Sequence, residues 1–119
     1  RTYKIREAEA RAEQSLAQME ETKLQILTEI VKSHSDAVAS LTNLESSEKL
    51  LEASKKAVDS SVKRYSNGEG NILELLSTQT ALAEAQQERI RCISEWRSAR
   101  LRLLADSATL GRDFYRASN

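Results

Sequence analysis

Proline is absent from this 119-residue chain, and glycine occurs only at Gly68, Gly70 and Gly111. One strong turn signal is left, residues 66–71 (Ser-Asn-Gly-Glu-Gly-Asn), with long uninterrupted segments on either side. Aromatic residues make up 4% and charged residues 30%. That balance belongs to long, solvent-washed helices rather than to a compact core. Cys92 is the only cysteine and His34 the only histidine. A single thiol can form no intrachain disulfide and offers no metal-ligand spacing. His34, on an Ala/Leu helix face, reads as a packing or surface residue. No stretch approaches the roughly 20 apolar residues of a spanning helix. No signal-peptide pattern opens the chain. It begins with Arg1 rather than Met, and a piece excised from something larger is expected.

Charge of one sign is also lacking: 18 Lys and Arg balance 18 Asp and Glu. The balance gives no global reason to expect nucleic acid or an anionic membrane surface as partner. Locally it is uneven. From Arg89 onward every basic residue is arginine, and these outnumber the acids Glu95, Asp106 and Asp113. A solvated helix face accounts for this.

Two helices follow from the apolar spacing. The first is expected over residues 2–65, about 95 Å at 1.5 Å per residue. Its seam is read as Ala37, Leu41, Leu44, Glu48, Leu51, Lys55, Val58, Val62 and Tyr65, with a slip near Ile26, Ile30 and His34 where two steps of four adjoin. The second helix is expected over residues 72–111, followed by a short tail over 112–119. It carries two seams. One is Ile72, Leu76, Gln79, Ala83, Gln86, Ile90 and Ile93. The other is Leu75, Thr78, Leu82, Ala85, Arg89, Cys92, Trp96, Ala99 and Leu103. A two-stranded coil needs one seam per helix. Two adjacent seams imply neighbours on two sides, as in the wall of a bundle or barrel.

The turn has matching local chemistry. Lys63 and Arg64 complement the dipole at the end of the first helix. Gly68 suits the left-handed residue that stops a helix. Asn71 is an N-cap, and Glu74 three residues on makes a capping-box pair with it. The fold class is therefore all-α: a long antiparallel, coiled-coil-like helical hairpin. Folding about Gly68–Glu69 pairs positions whose numbers sum to roughly 138, so Val62 faces Leu76 and Leu44 faces Ile93. Residues before about Glu20 then lack a partner within the chain. One of the two seams stays exposed, so self-association or covering partners are expected.

Chemistry-bearing motifs are absent. Asn67-Gly68-Glu69-Gly70-Asn71 lacks the preceding strand and following lysine of a phosphate-binding loop. No nucleophile, base and acid come together. Glu20 with Glu21, and Glu29 with Asp36, read as solvated helix charges. No enzyme, cofactor or metal site is expected.

The tip and second helix resemble one family. Arg64-Tyr65-Ser66-Asn67-Gly68-Glu69-Gly70-Asn71-Ile72-Leu73-Glu74-Leu75-Leu76-Ser77-Thr78-Gln79 is similar to the recurrent R-Y-x-x-G-x-x-x-[IVL]-[IVL]-x-[VL]-L-x-x-Q segment of TolC-like outer-membrane efflux proteins. Ala83 to Gln87, and Leu101 to Gly111, resemble that family's last long helix. Ala10 to Val31 is similar to its helix entering the periplasm.

The resemblance implies one hairpin, the C-terminal of two per protomer, in the α-helical barrel of a trimeric outer-membrane channel. It implies docking of the tip onto a periplasmic adaptor protein of a tripartite efflux or type I secretion system. The positions matched to the docking tip are Tyr65, Gly68, Glu69, Asn71, Ile72, Leu75 and Leu76. It also implies a pore gate formed by tip carboxylates. Glu74 matches one such position, and Ser77 stands where the family often has aspartate. The implied location is the periplasm, as part of an outer-membrane protein of the Gram-negative envelope, with no segment of this piece crossing the membrane and no nucleic-acid partner.

Three other readings compete. An adaptor hairpin would carry an arginine-leucine-serine tip pattern that is missing here. The coiled-coil arm of an RNA-binding enzyme would need a basic face, for which the arginines after Arg89 are the only support. A plain coiled-coil scaffold is the fourth.

Overall fold

The computed structural model describes residues 2–118. It contains two helices, α1 (Thr2–Ser66) and α2 (Ile72–Ser118), joined by a five-residue turn, and no strand among the described residues. The chain is an all-α helical hairpin. Among the described residues no helix is long and apolar enough to cross a membrane. The helices pass through two compact units. One comprises Asp36–Leu101, and the other joins Arg1–Ser35 with Arg102–Asn119.

In the unit containing the turn, the closest-packed positions are all small. Ser47, Ser54 and Ser61 of α1 are buried, as are Ala85, Cys92 and Ala99 of α2. They recur every seventh residue on each helix. Half-buried larger residues alternate with them: Leu44, Leu51 and Val58 on α1, and Leu75, Leu82, Arg89 and Trp96 on α2. Short side chains let two antiparallel backbones approach, and the larger residues close the flanks. A buried serine hydroxyl needs an acceptor, and the helix supplies one. Ser47 Oγ donates to its own Leu44 carbonyl at 2.7 Å.

The seam of α1 corrects the sequence expectation. Leu41, Glu48, Lys55 and Val62 are exposed, and the serines one residue before three of them, at 47, 54 and 61, lie inside. An apolarity count passes over serine, although small size is what the contact requires. On α2 the second expected seam, Leu75 through Leu103, is buried or half-buried at every position. Most of the first is exposed, including Ile72, Leu76 and Ile90.

In the other unit, Ile26, Ile30 and Ser33 of α1 share the inward face with Leu103, Asp106, Leu110 and Asp113 of α2. Ser33 Oγ donates to Asp106 Oδ2. Ser33 follows Ile30 by three, so the expected slip toward His34 does not occur, and His34 is exposed. Residues 2–25 are all exposed.

The expected end of α2 at residue 111 is also corrected: the helix runs to Ser118. Gly111 does not take the left-handed conformation that stops a helix, since Gly68 alone has positive φ among the described residues. A helical glycine costs only about 1 kcal/mol relative to alanine. Leu110 and Asp113, on the inward face on either side of it, favour continuation.

Candidate functional site: the hairpin tip

α1 ends in a hydrogen-bonded stop. Gly68 has φ 76°, Gly68 N–H donates to Tyr65 O at 3.1 Å, and Glu69 N–H donates to Arg64 O at 2.9 Å. This is the Schellman pattern, and it satisfies two carbonyls that the helix end leaves free. Gly70 N–H adds a second bond to the Arg64 carbonyl at 3.1 Å. α2 begins with its cap in place: Asn71 Oδ1 accepts from Glu74 N–H at 2.8 Å. The reciprocal half of the expected capping box is replaced by a different contact. The Glu74 carboxylate pairs across the turn with Arg64, Oε1 to Nε 3.5 Å. That pair agrees with the register expected from the sequence, since 64 and 74 sum to 138.

Around this framework, Tyr65, Ile72, Leu73 and Leu76 are exposed. Leu73, at 72% exposure, is the most open of the four and was not among the matched positions. Its signal lies in the local sequence. In the run Ile72-Leu73-Glu74-Leu75-Leu76, a helix can turn only part of four apolar residues inward, and Leu75 takes that place as a half-buried seam residue. Gly68, Glu69 and Asn71 are exposed and form the rim of the turn. A side chain at Gly68 would meet nothing within 4 Å, so the approach to its backbone is open.

The two gate candidates differ. Glu74 is half-buried and engaged by Arg64, while Ser77 is exposed and carries no charge. Among the described residues no group of His, Cys, Asp and Glu could hold a metal ion.

Away from the tip, Arg91 bonds to Glu88 and, at 2.5 Å, to Glu95 on the surface of α2. The Arg91 hydrogen bond holds the Glu88 carboxyl below the usual carboxylate range. Cys92 is a free, buried thiol that approaches Glu88 Oε1 at 3.6 Å. Arg100 stands over the Trp96 ring, 5.3 Å from its centroid. These contacts stay on α2, and Glu88, Arg91 and Cys92 line a cleft with Asn43, Ser46, Ser47 and Leu50 of α1.

No curated protein and no solved structure matches the chain. The sequence model of one family, described as outer membrane efflux protein, matches residues 1–107. That span takes in α1, the turn and most of α2, so the whole tip lies inside the match, and the chain belongs to the outer membrane efflux protein family.

Proposed function

We propose that this chain is a periplasmic helical hairpin of an outer-membrane channel, and that its tip docks a periplasmic adaptor protein of a tripartite efflux or type I secretion system. Family membership supplies the channel. The observation that carries the docking role is the exposure of Tyr65, Ile72, Leu73 and Leu76 around a turn that Gly68 and Asn71 hold in one conformation. Apolar side chains left in water at the end of a hairpin are unfavourable unless a partner covers them. A pre-formed turn lets that partner bind without the entropy cost of ordering a loop.

The exposed first seam of α2 supports the rest of the reading. Farther from the tip, Gln79, Ala83, Gln86 and Ile90 lie on a face that the hairpin itself does not cover. In a trimeric channel this face packs against neighbouring hairpins of the tunnel wall. The role is transport by a conduit, with the chemistry of substrate choice residing elsewhere in the assembly.

The test uses the full-length channel in cells. A photo-crosslinking residue is placed at position 73, and another at exposed Glu45 as a control. Position 73 is expected to capture a protein with an adaptor's helical hairpin and lipoyl-like domain, and position 45 is expected not to. Leu73→Ser should reduce capture by a crosslinker placed at position 69 while leaving the amount of channel in the outer membrane unchanged. Equal capture from positions 73 and 45, or full capture by Leu73→Ser, would refute the docking role.

A further inference from the structure

The tip contains two glycines that serve different ends. Gly68 is required for its backbone angle. Gly70 has no positive φ, so conformation does not call for glycine there. Space does. A Cβ at Gly70 would stand 3.2 Å from Glu74 Oε2, 3.3 Å from Arg64 Cβ and 3.5 Å from the Tyr65 nitrogen. The carboxylate is the end of a flexible side chain and can move away. Arg64 Cβ is fixed to the last turn of α1, so the loop itself must give by a few tenths of an ångström.

Three parts of the chain meet at this point. Arg64 in the last turn of α1 receives two loop amides on its carbonyl, from Glu69 at 2.9 Å and Gly70 at 3.1 Å. Its side chain pairs with Glu74 in the first turn of α2. Gly70 lies half-buried between them, the least exposed residue of the turn. Each charge also suits its helix end, since the cation is at a C-terminus and the anion at an N-terminus.

We propose that Arg64, Gly70 and Glu74 form a clasp that positions the docking side chains. The missing side chain at Gly70 lets the ion pair close beside the loop, and the closed pair fixes the first turn of α2 relative to the last turn of α1. Leu73, one residue before Glu74, and Tyr65, one residue after Arg64, are thereby held in fixed relation. Arg64 and Gly70 are positioning residues and touch no partner through this role. The importance of the clasp for efflux rests on the docking role of the tip, but its effect on the tip does not.

The test is a nitroxide spin label at position 73 of the full-length channel, read by its electron paramagnetic resonance line shape. Gly70→Ala, Arg64→Ala and Glu74→Ala are each expected to raise the label's mobility. The Arg64→Ala/Glu74→Ala double variant should raise it no further than either single change, because both remove the same pair. An exposed pair shifts an equilibrium by no more than about fivefold, so adaptor crosslinking from position 69 is expected to fall by a few-fold rather than vanish. Unchanged mobility in Gly70→Ala overturns the clasp, as do additive increases in the double variant. Mobility that rises with crosslinking unaffected keeps the clasp and refutes docking as its purpose. Circular dichroism of each variant distinguishes a loosened tip from an unfolded hairpin.

Discussion

Arg89 of α2 donates from Nη1 to the main-chain carbonyl of Leu44 on α1 at 2.7 Å, in a seam position otherwise held by leucine and tryptophan. The same nitrogen lies 3.3 Å from Ser47 Oγ, which itself donates to the Leu44 carbonyl. The arginine therefore fills a large-residue position with its methylene stem and ties the helices together with its head. Arg89→Ala removes both, and is expected to lower stability by about 1–2 kcal/mol in chemical denaturation. Arg89→Met keeps the stem. It should cost less than Arg89→Ala, because the Leu44 carbonyl retains the Ser47 hydroxyl. Equal losses in the two variants would assign the whole effect to the hydrogen bond.

The small-residue seam makes an asymmetric prediction. Ser54 is buried on α1, in the same heptad position as Ser47 and Ser61. Ser54→Ala preserves size and should cost no more than about 1 kcal/mol, the net worth of a typical hydrogen bond. Ser54→Leu supplies the apolarity of an ordinary coiled-coil seam, yet it should destabilise by about 1–3 kcal/mol through overpacking. Thermal denaturation of both variants decides between size and hydrophobicity as the property the seam selects.

Glu88 offers a titration that can be checked residue by residue. The hydrogen bond from Arg91 lowers its pKa, with desolvation opposing and the Arg91 charge and Cys92 adding to the lowering. A carboxyl whose folded-state pKa is depressed contributes stability above its unfolded pKa. That contribution is lost as pH falls through the folded value. The carboxyl signal of Glu88 in an NMR titration should have its midpoint below that of an unperturbed glutamate, about 4.3. Arg91→Gln should move it upward toward that value. Both side chains are about half exposed, so the effect on global stability should be slight.

Much of the architecture was legible because it rests on local signals. The Arg64–Asn71 segment encodes a helix stop, a turn and a cap in residue types with few other uses, and every one of those features forms. The second seam of α2 was legible from its alternating steps of three and four. What escaped was encoded by size rather than polarity. Ser33, Ser47, Ser54 and Ser61 lie inside because two helices meet there closely, and a serine in sequence looks like any surface residue. The Glu74 pairing escaped for another reason. Its partner is ten residues away across a turn, and the capping box offered a nearer use for the same carboxylate. Leu73 was lost among apolar neighbours until the seam had claimed Leu75.

Gly68 and Gly111 give opposite predictions from the same substitution. Gly68 holds φ 76°, where an L-residue pays for the approach of its Cβ to the following carbonyl. Gly68→Ala should destabilise by about 1–2 kcal/mol although open space surrounds the site, and Gly68→Asn should cost less because asparagine tolerates that conformation. Gly111 lies inside α2 without a positive φ and with nothing within 4 Å of a new Cβ. Gly111→Ala should therefore stabilise, by up to about 1 kcal/mol, through a less flexible unfolded chain and better helix propensity. The two variants are compared by hydrogen exchange of the α2 amides near each site. Faster exchange after Gly111→Ala would mean that this glycine ends the helix, as the sequence alone implied. Slower exchange would confirm that α2 runs through it to Ser118.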